Sequence, residues 1–142
     1  MILLDTNVVS ENFRPRPAPA VVAWIDAQAP GDLFLCAPVL AELRFGAERL
    51  APGRAQDHLR RTIDRIEDVF RGRVLQFDAA AAAQYGRIGA KRERVGRPMG
   101  QMDALIAAIA LTESAALATR DVSGFSDVGL VLIDPFATGV PR

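Results

Sequence analysis

Five short apolar runs, Ile2–Leu4, Leu33–Cys36, Val74–Phe77, Ala116–Ala118 and Leu130–Ile133, punctuate this chain, and segments of helical periodicity separate most of them. Runs of three or four apolar residues are too short for helices and lack the alternation of half-exposed strands. They read as strands buried on both faces. Such strands alternating with helices build a mainly parallel sheet with helices on both sides, so the fold class is α/β. No internal repeat, low-complexity linker or composition break divides the 142 residues. A single domain over 1–142 is expected, large enough to bury about two thirds of its unfolded surface.

Turn and cap residues place the helices. Asn7 is the expected cap of a short first helix that must end before Arg14-Pro15-Arg16-Pro17. A second helix is expected from about Pro19 to Gln28. Pro38 suits the first turn of a third, with Val39, Leu43, Gly46 and Leu50 as its apolar stripe and Glu42 beside them. A polar-rich fourth helix covers Ala55 to Phe70, with His58 on its exposed side. Asp78 caps a fifth whose Ala79–Ala83 run favours helix strongly. Gly96-Arg97-Pro98 ends it. The sixth begins near Gly100, buries Leu105, Ile106, Ile109 and Ala110, and carries Asp103 in its first turn.

Composition excludes several function classes. The lone Cys36 lies in an apolar run, which fits a buried thiol in a reducing compartment and leaves no intramolecular disulfide. With His58 the only histidine, a metal here would be bound by oxygen. No stretch approaches the roughly 20 apolar residues of a membrane span, so a cytoplasmic location and no membrane association are expected. Seventeen Lys plus Arg balance seventeen Asp plus Glu, which disfavours duplex-DNA binding through a large positive field.

Asp5 directly follows a strand without polar residues, at the carboxyl end where open α/β sheets form their crevice. Alone, Glu42, Asp103 and Asp121 read as an exposed helical acid, a helix-start acid favoured by about 0.3–1 kcal/mol, and a turn residue. If the alternation holds, all four reach one edge of the sheet. Like charges about 4 Å apart repel by roughly 4 kcal/mol at an effective dielectric of 20. Protons, basic partners or a cation must offset that repulsion, and Mg²⁺ or Mn²⁺ in an all-oxygen site with water is the economical solution. Metal-assisted phosphodiester hydrolysis is the chemistry this permits. Thr6 and Ser10 have no nearby histidine or nucleophile-elbow pattern, so a hydrolase triad has little support.

The segments MILLDTNVVSE, PVLAELRFG, GRPMGQMDALIAAIA and LATRDVSGF, in this order and spacing, resemble PIN-domain ribonuclease toxins of the VapC type. The likeness extends to Ile133-Asp134-Pro135-Phe136, and the DTNVxSE opening is similar to the FitB-like subgroup. The resemblance implies a three-layer α/β/α fold and Mg²⁺-dependent endonucleolytic cleavage of RNA. It also implies inhibition by a VapB-type antitoxin, with a homodimer and a larger toxin–antitoxin complex as the expected assemblies. Position by position, Asp5 and Asp103 match the principal metal ligands, Glu42 the family glutamate, and Asp121 the acidic or amide position after the Thr-Arg pair. Thr6, Asn7 and Thr119 match supporting polar residues.

One departure stands out. The resembled family commonly continues the last motif as N-x-x-D-F or D-x-x-D-F, whereas Gly124 occupies the second acidic position here. Two alternatives stand beside this reading: the resemblance, with its departure at Gly124, also implies a PIN-fold binding module acting mainly through antitoxin pairing, and Asp5 at a strand end suits the nucleophile of a haloacid-dehalogenase-like phosphatase. The phosphatase pattern places a second Asp where this chain has Asn7. Arg87, Lys91, Arg92, Arg94 and Arg97 read either as a solvated helix face or as an RNA-phosphate surface, with the solvated face favoured. Arg44 and Arg120 are the better-placed RNA contacts, Arg120 foremost. Val8, Val9, Phe13, Val21, Val22 and Trp24 suit either the core or a groove for an antitoxin helix. Aromatic content is too low to indicate a base-stacking platform.

Overall fold

In the computed structural model, which describes residues 1–137, the first apolar run forms strand β1 (Ile2–Leu4), with Leu3 and Leu4 buried. Asp5 then turns the chain directly into helix α1 (Thr6–Asn12). The chain continues through α2 (Pro19–Asp26), β2 (Leu33–Cys36), α3 (Ala37–Glu48), α4 (Arg54–Val69) and β3 (Val74–Leu75). It ends with α5 (Ala79–Arg94), α6 (Gln101–Thr112), β4 (Ala116–Ala118) and β5 (Leu132–Ile133). The strands pair in parallel in the order β3-β2-β1-β4-β5, and helices on both faces complete three α/β/α layers.

Strand order positions the site. From β1 the chain steps outward through β2 to β3, crosses back, and steps outward on the other side through β4 to β5. Direction therefore reverses between β1 and β4, where a parallel sheet opens a crevice beyond its carboxyl ends. Leu4 is in register with Ala118, and the Asp5 N–H donates to the Ala118 carbonyl at 2.9 Å. Asp5 and Thr119 thus leave the sheet side by side. Leu3, Leu35 and Leu117 are fully buried in the sheet, and α6 is buried at Ala104 and from Ile106 to Ala110. Full burial of each large aliphatic side chain contributes about 1.5–3 kcal/mol, which makes this core a rigid base for the crevice.

Several local expectations need correction. Asp5, in an extended conformation, caps α1 by accepting the Thr6 N–H, while Asn7 lies inside the helix. Helix α3 stops at Glu48, so Leu50 leaves the expected stripe and is 39% exposed; Pro38, Val39, Leu43 and Ala47 form the buried face. Pro52 has no N–H with which to continue the helix, and the buried Gln56 amide caps its end by donating to the Ala47, Glu48 and Leu50 carbonyls, which would otherwise be left unpaired. Phe77 falls outside β3 and Leu130 outside β5. Asp78 caps α5 through the Ala81 N–H, as its position suggests.

Arg92 departs from both readings of the basic cluster. Arg87, Lys91, Arg94 and Arg97 are exposed, but Arg92 is only 4% exposed. It donates to the carbonyls of Arg97, Gly124 and Ser126 at 2.7, 3.2 and 2.8 Å. The end of α5 is thereby fastened to the segment that follows β4.

Candidate active site

Asp5, Thr6, Asn7, Glu42, Asp103, Asp121 and Phe125 line one open pocket of about 290 Å³ at the switch point. Each acid arrives from a different place: Asp5 from the β1–α1 junction, Glu42 from the middle of α3, Asp103 from the first turn of α6, and Asp121 from the segment after β4. The parallel alternation carries all four to the same edge.

Two threonines organise this edge. Asp5, 5% exposed, accepts the Thr6 N–H on Oδ1 at 2.8 Å and the Thr119 hydroxyl on Oδ2 at 2.7 Å. Thr119 is fully buried, and its Oγ1 accepts the Asp121 N–H at 3.0 Å. Thr6 donates its hydroxyl to Glu42 Oε1 at 3.0 Å. Asn7 Oδ1 accepts the Arg120 N–H at 3.2 Å, tying α1 to the segment beyond β4. The Asp121 carboxylate turns back on its own loop, where Oδ1 accepts the Gly124 N–H at 3.0 Å and the Ser123 hydroxyl at 3.4 Å. Asp103 has no hydrogen-bond donor among the described residues acting on its carboxylate.

The electrostatics follow from this crowding. Burial raises the Asp5 carboxyl above its ordinary value against the Thr119 and Thr6 hydrogen bonds, and Asp121 raises it further. Glu42 is likewise raised, first by burial, with Thr6 opposing and Asp5 adding to the effect. Asp103 is pushed up to about 6, first by burial and then by the charges of Asp5, Glu42 and Asp121. The pocket thus disfavours its own full ionisation, a repulsion that a divalent cation would offset. The donor set is all oxygen and fits Mg²⁺ or Mn²⁺ chemistry. Among the described residues no three acids converge closely enough to enclose an ion unaided. Water would have to complete the shell, as is usual for Mg²⁺.

Not every candidate reaches the pocket. Arg44 Nη2 pairs with Asp64 and Glu67 of α4, each at 2.8 Å, and lies outside the pocket lining. Arg120 is exposed beside the site, with its guanidinium 4.2 Å from the centre of the Phe136 ring. Phe125, 1% exposed, lines the pocket and was not singled out from sequence. Its available signal was being the only aromatic in LATRDVSGF.

Thr119 offers a direct check on the network. Thr119→Val keeps the shape but leaves Asp5 Oδ2 without its donor and the Asp121 N–H without its acceptor. A loss of about 2 kcal/mol is expected, read as a lower urea midpoint at unchanged m-value. An unchanged midpoint would show that these bonds contribute nothing net.

Residues 2–130 match the family model of the PIN domain. The chain is 42% identical over 142 residues to the VapC ribonuclease Y4jK of Sinorhizobium fredii, covering 96% of this chain and 98% of that protein. It is 39% identical to Toxin FitB of Neisseria gonorrhoeae, with 96% and 99% covered. The solved structure of FitAcB from Neisseria gonorrhoeae superposes with a TM-score of 0.88 at 39% identity, again over 96% of this chain and 99% of that chain. Likeness in sequence and in backbone covers 96% of this chain, and it places this chain in the PIN domain family.

Proposed function

We propose that this protein is a metal-dependent endoribonuclease toxin that hydrolyses RNA phosphodiester bonds and is inhibited by a VapB-type antitoxin. The convergence of Asp5, Glu42, Asp103 and Asp121 on one pocket carries this reading. Similarity to proteins named VapC ribonuclease and toxin supports the substrate and the biological role. PIN-domain VapC ribonucleases generally depend on a divalent metal; we assign Mg²⁺, with Mn²⁺ as a substitute, from the all-oxygen donor set.

Asp5 and Asp103 would hold the ion, with Glu42 and Asp121 acting directly or through water. When bound, it supplies positive charge against the scissile phosphate and lowers the pKa of water. The chain's own residues set the geometry. Thr6 and Thr119 hold both oxygens of Asp5 from opposite sides. Thr6 also engages Oε1 of Glu42, and Oε2 accepts no hydrogen bond among the described residues. With its pKa raised, Glu42 is suited to take a proton there from the attacking water. Asn7 secures the backbone of Arg120, assigned as the RNA-phosphate contact. Arg44 is already engaged by two acids and is not assigned that role.

The antitoxin is assigned to the opposite chemistry. An apolar cleft of about 290 Å³ lined by Val9, Phe13, Ile25, Leu33, Val69 and Phe70 suits an amphipathic segment. A single functional domain over 1–142, a homodimer within a larger toxin–antitoxin complex, and a cytoplasmic site of action belong to the same proposal. Among the described residues no helix is long and apolar enough to cross a membrane.

The test is RNA cleavage by purified protein, free of antitoxin, with Mg²⁺ or Mn²⁺ and with chelator. Cleavage is expected only with the cation. Activity that survives chelation, or persists in both Asp5→Ala and Asp103→Ala, would overturn the assignment. Membership of the PIN family leaves the phosphatase alternative without an observation in its favour; a module acting mainly through antitoxin pairing predicts a bound divalent ion without RNA cleavage in the same assay.

A further inference from the structure

Gly124 occupies a position where the backbone does not require glycine. It is absent from the residues with positive φ, so any amino acid is able to adopt its conformation. Space explains it instead. A Cβ added at Gly124 would lie 2.1 Å from Asp121 Oδ2, 2.6 Å from Cγ and 2.9 Å from Oδ1. The Asp121 carboxylate fills the volume that a side chain at 124 would take.

The surrounding loop determines which partner yields. The Gly124 carbonyl accepts from the buried Arg92, which also holds Ser126, and the neighbouring Phe125 is buried at the pocket wall. Arg97 adds a bond to the Ser123 carbonyl at 3.2 Å and pairs with Asp127 at 3.1 Å. The backbone of 123–126 is therefore pinned, while the Asp121 carboxylate is the end of an exposed side chain, held there only by its bonds to the Gly124 N–H and the Ser123 hydroxyl. Relief of a clash falls on the carboxylate, because rotating χ1 costs less than dislodging a pinned loop.

We infer that Gly124 is a positioning residue for Asp121: the missing side chain lets the carboxylate lie over residue 124 and accept its N–H, with Arg92 holding that segment from beneath. An aspartate at 124 is thus not an acid this chain has simply lost. Acid at 124 and the observed placement of Asp121 exclude each other, so the two patterns are alternative ways of bringing a carboxylate to this side of the pocket. The inference rests on the metal-dependent reading of the site.

A double-mutant cycle tests it, with Mn²⁺ alone as the probe in calorimetric titrations of wild type, Gly124→Ala, Asp121→Ala and the double variant. Gly124→Ala is expected to weaken Mn²⁺ binding about tenfold with a melting temperature within a few degrees of wild type. In the Asp121→Ala background the same substitution is expected to have no further effect, since the carboxylate it displaces is gone. Wild-type affinity in Gly124→Ala, or an equal loss in both backgrounds, would overturn the inference and leave the proposed function standing. A wild type that neither binds Mn²⁺ nor cleaves RNA would overturn both.

Discussion

Asp103→Asn is expected to reduce RNA cleavage by about three orders of magnitude and, without metal, to make the protein more stable. The first effect follows from removing a carboxylate proposed to hold the ion against the scissile phosphate; a thousandfold loss corresponds to about 4 kcal/mol of barrier. The second follows from the isolation of Asp103. Its carboxylate gains from the start of α6, by about 0.3–1 kcal/mol. Burial and three neighbouring acids outweigh that gain and push its pKa up to about 6.

The sign with pH is definite. Below the ordinary value of 3.8 the group is protonated in both states and contributes no difference. As pH rises from there to about 6, the unfolded chain releases the proton while the folded one retains it, so folding stability falls. Above about 6 the penalty is complete. Asp5 and Glu42 shift in the same direction. Metal-free protein should therefore be more stable near pH 5 than near pH 7, and Asp103→Asn should remove much of that slope. Allowing for solvent screening of Asp103, the gain at neutral pH is about 1 kcal/mol, or roughly 3 °C in Tm. Thermal melts with and without Mg²⁺ check this: the cation should stabilise wild type and barely affect the variant. A lower metal-free Tm for Asp103→Asn, or cleavage above a tenth of wild type, would contradict the account.

Arg92→Met should be the most damaging single change to stability outside the apolar core. Methionine preserves much of the stem but donates to none of the three carbonyls that Arg92 serves. Leaving these acceptors without their donor in a site only 4% exposed costs about 3 kcal/mol, equivalent to roughly 10 °C in Tm. Loosening should concentrate between Asp121 and Asp127. Amide exchange ought to rise there before it rises in the sheet. A denaturation midpoint equivalent to a loss below 1 kcal/mol would show that water replaces the guanidinium at little cost.

Arg92 also marks where sequence reading stopped. Among Arg87, Lys91, Arg94 and Arg97 it carries the charge pattern of a solvated helix, and its burial depends on a loop about thirty residues later folding over it. No local window contains that information. Asp5 was legible for the opposite reason: an acid at the end of an all-apolar run signals the edge of a parallel sheet, and the fold requires nothing further to bring it to the crevice. Its cap role is not legible in the same way, because Asn7 satisfies the same local rule and only the Thr6 and Thr119 bonds that orient Asp5 distinguish the two. The α3 stripe fails at Leu50 because Pro52 stops the helix and Gln56, on the next helix, pairs the carbonyls at its end. Gly124 was read as a missing acid, since residue identity alone does not show that another carboxylate fills its place.

The central strand β1 pairs on one side with a strand that lies far along the chain. Asp5 and its donor Thr119 stand 114 residues apart in the chain, and β4 must dock against β1 before they meet. During synthesis, Asp5 leaves the ribosome long before Thr119 and Asp121 exist. The pocket therefore lacks its full set of acids until Asp121 has been made. Strand order thus couples completion of the four-acid pocket to translation through β4 and the segment after it.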